Sequence, residues 1–346
     1  MGAISHKIKG NAWQMRARSI KRYETLIPEL EAVTRRRIPY NRQGILMLCF
    51  QEEDLASWEK LAAVRSTQEW QLEIWNAAQL QLRCPQLNTE KIVAAIYSPQ
   101  DRQVDPVALT IALVEAAKHN GVQFHFGVTA TGYCFDNAEQ QIYLKIENAQ
   151  LSEQIKEVDW LVIAAGTGST ALQLQQKSTI ACDRTRIALS FAGTQQMQST
   201  PAVEIKPVLG QAIHMQVARP LGDPSFQPVI TGNDVHIVPC VGSQPVTNYW
   251  IGATVEFPVN EQVVADATQL EIVKQQAIAF CPALAQAKII RTWSGLRPRP
   301  EGQPAPIIRN LPGFSNILLA TGHYRNGVLL APATAQKIRE MIVCEG

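Results

Sequence analysis

The sequence predicts a mixed α/β (α+β) fold of two interleaved lobes, and three observations predict it. A helix with explicit start and stop signals, Asp105-Pro106 to Gly121, leads through β-like segments to a buried strand that ends in a Gly-x-Gly turn. From about Thr179 to Thr292 the texture changes to short β-rich runs separated by Pro, Gly and Asn. From Asn316 the chain returns to strand, glycine turn and helix, so one lobe is assembled from distant segments.

Taken in order, Asn11–Glu31 carries Trp13, Ile20, Tyr23, Ile27 and Leu30 at helical spacing and reads as an amphipathic helix that stops between Pro28 and Thr34. Gln43–Phe50 is an apolar run of strand length. Asp54–Ser66 reads as a helix capped by Asp54. Ala77–Leu87 is a short helix stopped by Pro85. The next helix has Asp105 as N-cap, Pro106 at its first position and Gly121 as its stop. A strand is expected over Val122–Tyr133, and a buried one over Trp160–Ala164 running into Gly166-x-Gly168. That order belongs to an α/β nucleotide-binding lobe. The runs RIALSFAG, QAIHMQVA, DVHIVPC and YWIGATVEF read as an antiparallel sheet, interrupted by a helix over Asp266–Phe280. The strand NILLATGH and a terminal helix close the chain.

At 346 residues the chain exceeds one compact core. The charge balance of 32 Lys+Arg against 30 Asp+Glu gives no case for a nucleic-acid partner. Seven scattered cysteines without CxxC spacing read as free thiols in a reducing cytoplasm. The dispersed histidines offer no zinc pattern, and no apolar run reaches transmembrane length.

Four stretches carry candidate chemistry. GHYRNG, Gly322–Gly327, delivers a strand onto a helix start, where free N–H groups suit an anion or an electron-rich ring and Arg325 can hold a carboxylate through two parallel hydrogen bonds. By spacing alone, a glycine-bounded turn with a solvated arginine is the preferred interpretation. Arg297 sits in the rigid bend GLRPRPEGQPAP, AAGTGS is a lone Gly-x-Gly turn, and His236 lies mid-strand, where packing is the commoner role.

In the order QVDPVAL, DWLVIAAGTGS, PVLGQAIHM, VHIVP with IGATVE, WSGLRPRPEGQPAP and ATGHYRNGVLLAPATA, these stretches resemble the FAD-dependent amine and amino-acid oxidases of the D-amino-acid oxidase type. GLRP together with GHYRNGVLLAP is similar to the glycine oxidases of thiamine biosynthesis. The resemblance covers about residues 1–342, is most specific from Trp293 on, and is loose before residue 95. It implies an FAD-binding lobe over 1–34, 96–175 and 297–346, and a substrate lobe with a large mixed sheet over 35–95 and 176–296. It also implies that Arg297 and Arg325 contact the substrate carboxylate. The turn Gly322, His323, Tyr324, Arg325, Asn326, Gly327, Val328 and Leu329 would wrap the flavin ring, Val128 would meet the adenine, and Ala165 and Gly166 the ADP portion. His236 and Val255 stand where such oxidases usually carry a tyrosine and commonly a methionine at the substrate.

The implied reaction transfers hydride from the substrate's α-carbon to flavin N5, and the imine formed is hydrolysed to an oxo-acid and ammonia. The partners implied are a small amino acid and oxygen or another electron acceptor; assembly into a homo-oligomer stays open. The loop after GLRP lacks the cysteine that tethers flavin in sarcosine-oxidase-like relatives, so FAD is expected to bind non-covalently. The family's opening βαβ unit with GxGxxG is not found. The expectation is a chain without its first ~60 residues, holding FAD poorly and leaving apolar sheet edges uncovered. The alternative is a non-catalytic remnant or binding protein that no longer holds FAD.

Overall fold

The computed structural model describes residues 2, 4–5, 10–136, 141–148, 154–174, 176–177, 201–242, 244–259 and 262–345. The run RIALSFAG, expected as a strand, and Cys182 lie outside them. In chain order the helices are α1 (Gly10–Thr34), α2 (Leu55–Ser66), α3 (Ala77–Arg83), α4 (Pro106–His119), α5 (Ser169–Leu174), α6 (Ala267–Phe280) and α7 (Gly327–Glu345). The strands are β1 (Tyr40–Asn41), β2 (Ile45–Cys49), β3 (Glu73–Asn76), β4 (Ala94–Ser98), β5 (Gln103–Val104), β6 (Val128–Asp136), β7 (Gln141–Asn148), β8 (Gln154–Val158) and β9 (Leu161–Ile163). They continue as β10 (Gln176–Lys177), β11 (Ile205–Gln216), β12 (Val229–Gly232), β13 (Val235–Pro239), β14 (Asn248–Gly252), β15 (Lys288–Pro300), β16 (Ile307–Asn310) and β17 (Ile317–Thr321).

Two compact units result. The first takes residues 1–120, 209–295 and 328–333; the second takes 121–208, 296–327 and 334–346.

The first unit is built on an eight-stranded mixed sheet in the order β15-β11-β14-β13-β12-β2-β4-β3. β12 joins β2 in parallel, and β2 joins β4 antiparallel. Side chains alternate between its faces. Leu46, Leu48, Ala95, Ile213, Ile230, Ile237 and Ile251 share one face with Leu80 of α3 and Val273, Ala277 and Phe280 of α6. Each such fully buried Leu, Ile or Phe contributes about 1.5–3 kcal/mol. Met47, Cys49, Ala94 and Ile96 point to the other face, against Ile4 and Trp58 and Leu61 of α2. Apart from the sheet, α1 lays Tyr23, Ile27 and Leu30 on Leu109, Ala112 and Ala116 of α4.

The start of the chain is anchored electrostatically in this unit. The buried Asp101 carboxylate accepts from Gly2 N (2.5 Å), Ile4 N (3.1 Å) and Ser98 Oγ (2.9 Å). Arg65, fully buried, donates to the Ser5 carbonyl at 2.6 Å and stacks 3.5 Å over the Trp13 ring. Burial lowers its pKa to about 10, with Asp101 opposing that shift and Arg16 adding to it.

The second unit holds the three-stranded sheet β16-β17-β9, with β17 parallel to β9, and the four-stranded sheet β10-β6-β7-β8. Ile163, Leu311, Ile317, Leu319, Tyr133 and Ile142 form its core.

The local signals around α4 act as expected: the Asp105 side chain accepts from Val107 N and Ala108 N, Pro106 opens the helix, and Gly121 follows it at φ 84°. Three expectations are corrected. Asp54 does not cap α2; it ends a 3₁₀ turn, is itself in helical conformation, and makes no capping hydrogen bond. The strand expected from Val122 begins only at Val128. Val122, Phe124 and Phe126 alternate as a strand would, but no described strand pairs with them and all three are exposed. β14 ends at Gly252 rather than running through Phe257, although the segment stays beside β11: Thr254 N donates to the Gln211 carbonyl (3.1 Å), Gln211 N donates to Thr254 Oγ1 (2.8 Å) so that a side chain takes the place of a ladder carbonyl, and Leu209 and Glu256 pair beyond it only as an isolated bridge. Val255 therefore lies beyond the strand.

Candidate active site

The residues around the glycine turn lie in the second unit. β17 is buried and apolar through Ile317, Leu318 and Leu319, so it runs through the core and surfaces at Thr321. Gly322 then takes φ 67°, and a Cβ there would stand 3.2 Å from Pro300 Cγ and 3.3 Å from Ile205 Cδ1 and Ile307 Cγ1. Both backbone conformation and space thus select glycine. Tyr324 also adopts a left-handed conformation, φ 52°, a strained arrangement for a bulky residue. Two backbone hydrogen bonds hold the turn: Asn326 N to the His323 carbonyl at 2.9 Å and Tyr324 N to the Pro298 carbonyl at 2.9 Å. The second fastens the turn to the GLRP segment, so Arg297 and Arg325 are each one residue from the same hydrogen bond. Arg297 is half-buried and Arg325 exposed.

The Gly-x-Gly turn meets the same place. Thr321 Oγ1 donates to the Gly166 carbonyl (3.2 Å) and accepts from Ser169 Oγ (2.8 Å), with Ser169 and Thr321 both buried. Gly166 has φ 57°. Ala165 and Gly166 are therefore brought to the end of β17, whereas Val128 opens β6 in the other sheet of this unit. His323 Nε2 pairs with Thr334 Oγ1 at 2.9 Å, and burial holds its pKa below the ordinary value. A hollow of about 380 Å³ lies between Tyr324 and the bend Arg299–Ala305.

The remaining candidates belong to the first unit. Val328 and Leu329 form the first turn of α7: the Tyr23 hydroxyl donates to the Val328 carbonyl, and Leu329 packs on Trp13, Ile20 and Trp70. His236, in β13, pairs Nδ1 with Thr231 Oγ1 at 2.9 Å. Val255 is 36 % exposed.

Residues 2–341 match the family model described as FAD dependent oxidoreductase, DAO. The chain belongs to this family. A DAO-family oxidoreductase needs a place for FAD, and the chemistry of the residues around the glycine turn fits an electron-rich ring. The start of α7 carries first-turn amides without intrahelical acceptors, behind a turn whose conformation and close packing admit glycine. A G-x-G-x-x-G run for the pyrophosphate is not present in the 346 residues.

The DAO-family chain is similar to the bifunctional protein ThiO/ThiG of Trichormus variabilis, 27 % identical over 255 residues, covering 73 % of this chain and 33 % of that protein. It thus spans a third of that relative's length. It is 26 % identical over 340 residues to the glycine oxidase of Bacillus licheniformis, covering 96 % of this chain and 78 % of that one. The crystal structure of glycine oxidase from Geobacillus kaustophilus superposes with a TM-score of 0.79 at 22 % identity, over 99 % of this chain and 82 % of that one, which shows the fold.

Reading the sequence singled out the turn but missed the groups that fasten it: Thr321, Ser169 and the Pro298 carbonyl. Thr321 immediately precedes the glycine, and a hydroxyl at a strand end was the available signal. Its partner Ser169 is 152 residues away, which no local pattern reports.

Proposed function

We propose that this DAO-family chain is an FAD-dependent oxidoreductase that oxidises the amine of glycine or another small amino acid, with oxygen or another carrier as the final electron acceptor. Arg297 and Arg325 hold the substrate carboxylate, and His236 and Val255 take part in substrate selection. When bound, non-covalent FAD supplies the two-electron chemistry; the chain's own residues orient the amino acid. The observation that carries this reading is the 2.9 Å hydrogen bond from Tyr324 N to the Pro298 carbonyl, which brings the two arginine-bearing segments together beside the glycine turn. A guanidinium–carboxylate hydrogen bond contributes about 1.5–3 kcal/mol, enough to prefer an amino acid over a plain amine by roughly 10- to 150-fold.

The test is steady-state turnover of a panel of amino acids and matching amines with FAD added. Arg325→Ala and Arg297→Ala are each expected to lose that preference. Turnover of every amino acid unchanged in both variants refutes the carboxylate assignment.

A further inference from the structure

The Thr231–His236 pair in the large sheet gives the histidine a defined proton position. Asn233 and Asp234 form the two-residue turn between β12 and β13, at φ 49° and 62°. Two successive left-handed residues mark the turn type that matches the strand twist. It sets the register in which Thr231 faces His236 directly. Along the same row His236 is followed by Gly252 and Ala212, and Thr231 by Met47 and Ile96. A polar ring therefore rises from this face with small neighbours on one side. Gly252 must stay small, because a Cβ there would come to 3.0 Å from Ala212 Cβ.

Thr231 is 2 % exposed, and among the described residues the hydrogen-bond partner of its hydroxyl is His236 Nδ1 at 2.9 Å. A hydroxyl carries one donor, and a neutral imidazole has one donor nitrogen and one acceptor. If Nδ1 carried the proton and donated to Oγ1, the threonine hydrogen would be buried without an acceptor, a loss much larger than the gain from one neutral hydrogen bond. If Thr231 donates to Nδ1, the hydroxyl and Nδ1 are both satisfied and the imidazole proton sits on Nε2.

We propose that Thr231 is a positioning residue that fixes His236 as the neutral Nε2–H tautomer, so that His236 acts as a hydrogen-bond donor and not as a base. Given the proposal above that His236 meets the substrate, the group recognised is an acceptor oxygen of the amino acid, from its carboxylate or side chain, and not its amine. The choice follows from the threonine hydroxyl; an aliphatic residue at position 231 would leave the tautomer unspecified.

Two arms test this on the full chain. The first is long-range nitrogen–proton NMR of the histidine rings without substrate, with His236→Gln assigning the signal. Wild type is expected to show Nε2 protonated and Nδ1 bare, Thr231→Val a mixed population, and Thr231→Ser the wild-type pattern. A proton on Nδ1 in wild type, or no change in Thr231→Val, overturns the proposal whatever the protein oxidises. The second arm is kinetic, with FAD added. Thr231→Val is expected to raise KM about threefold to tenfold with kcat little changed, and Thr231→Ser to restore it. If the tautomer arm holds but neither Thr231→Val nor His236→Gln moves KM for any amino acid, the donor role toward substrate is overturned together with the placement of His236 there.

Discussion

Tyr324 N–H donates to the Pro298 carbonyl across 2.9 Å, which ties the residue before Arg325 to the residue after Arg297. The two arginines are 28 positions apart in sequence (325 minus 297), and this bond brings their segments together. The turn is held by groups that can be replaced one at a time.

Gly322→Ala is expected to destabilise the protein by about 1–3 kcal/mol, from the left-handed φ of 67° and the contact of a new Cβ at 3.2 Å from Pro300 Cγ. Urea denaturation followed by tryptophan fluorescence measures it. A midpoint equal to wild type would show that the backbone can relax freely there.

Thr321→Val keeps the side-chain shape but removes both the donor to the Gly166 carbonyl and the acceptor for Ser169 Oγ. The expected cost is about 1–3 kcal/mol. Ser169→Ala in the same background should add little, since its partner is already lost. Additive losses in the double variant would argue against a shared network.

Asp101→Ala strands two backbone N–H groups and one hydroxyl, and it removes the charge that favours the buried Arg65 cation. A loss of about 3 kcal/mol or more is expected, with increased hydrogen exchange at Gly2 and Ile4. Unchanged exchange at these amides would mean that the start of the chain is held by other contacts.

His323 is half-buried against Thr334 with its pKa below the ordinary 6.5. Because the folded value is depressed, the unfolded chain binds more protons at pH values between the two. Stability is therefore complete above the unfolded value and is lost as pH falls below it toward the folded one. His323→Gln should flatten the part of the stability–pH curve just below about pH 6.5. A curve of unchanged slope would assign that acid sensitivity to other groups.

Much of the architecture was legible locally. Asp105, Pro106 and Gly121 delimit α4 because capping, a preset φ and a left-handed stop each act within a few residues. Asp266 caps α6 for the same reason. The glycine turn and its arginine could be located, since a strand, a glycine and a helix start are each short-range signals. Val122–Phe126 shows the limit. It has the alternation of a strand, yet a strand is a pairing and no described neighbour supplies one. Asp54 has a capping residue's chemistry, but the preceding 3₁₀ turn places its backbone in helical conformation, so it cannot cap.

By itself the sequence determined where α4 and α6 begin and which runs are apolar enough to form a sheet, because these depend on neighbours within a turn or two. The tertiary structure alone decided that Thr321 meets Ser169, that Pro298 meets Tyr324, and that Thr254 meets Gln211. Those contacts join segments up to 152 residues apart. They are selected by burial: a hydroxyl or amide excluded from water must find a partner, and the partner is whichever distant segment the packed core brings there.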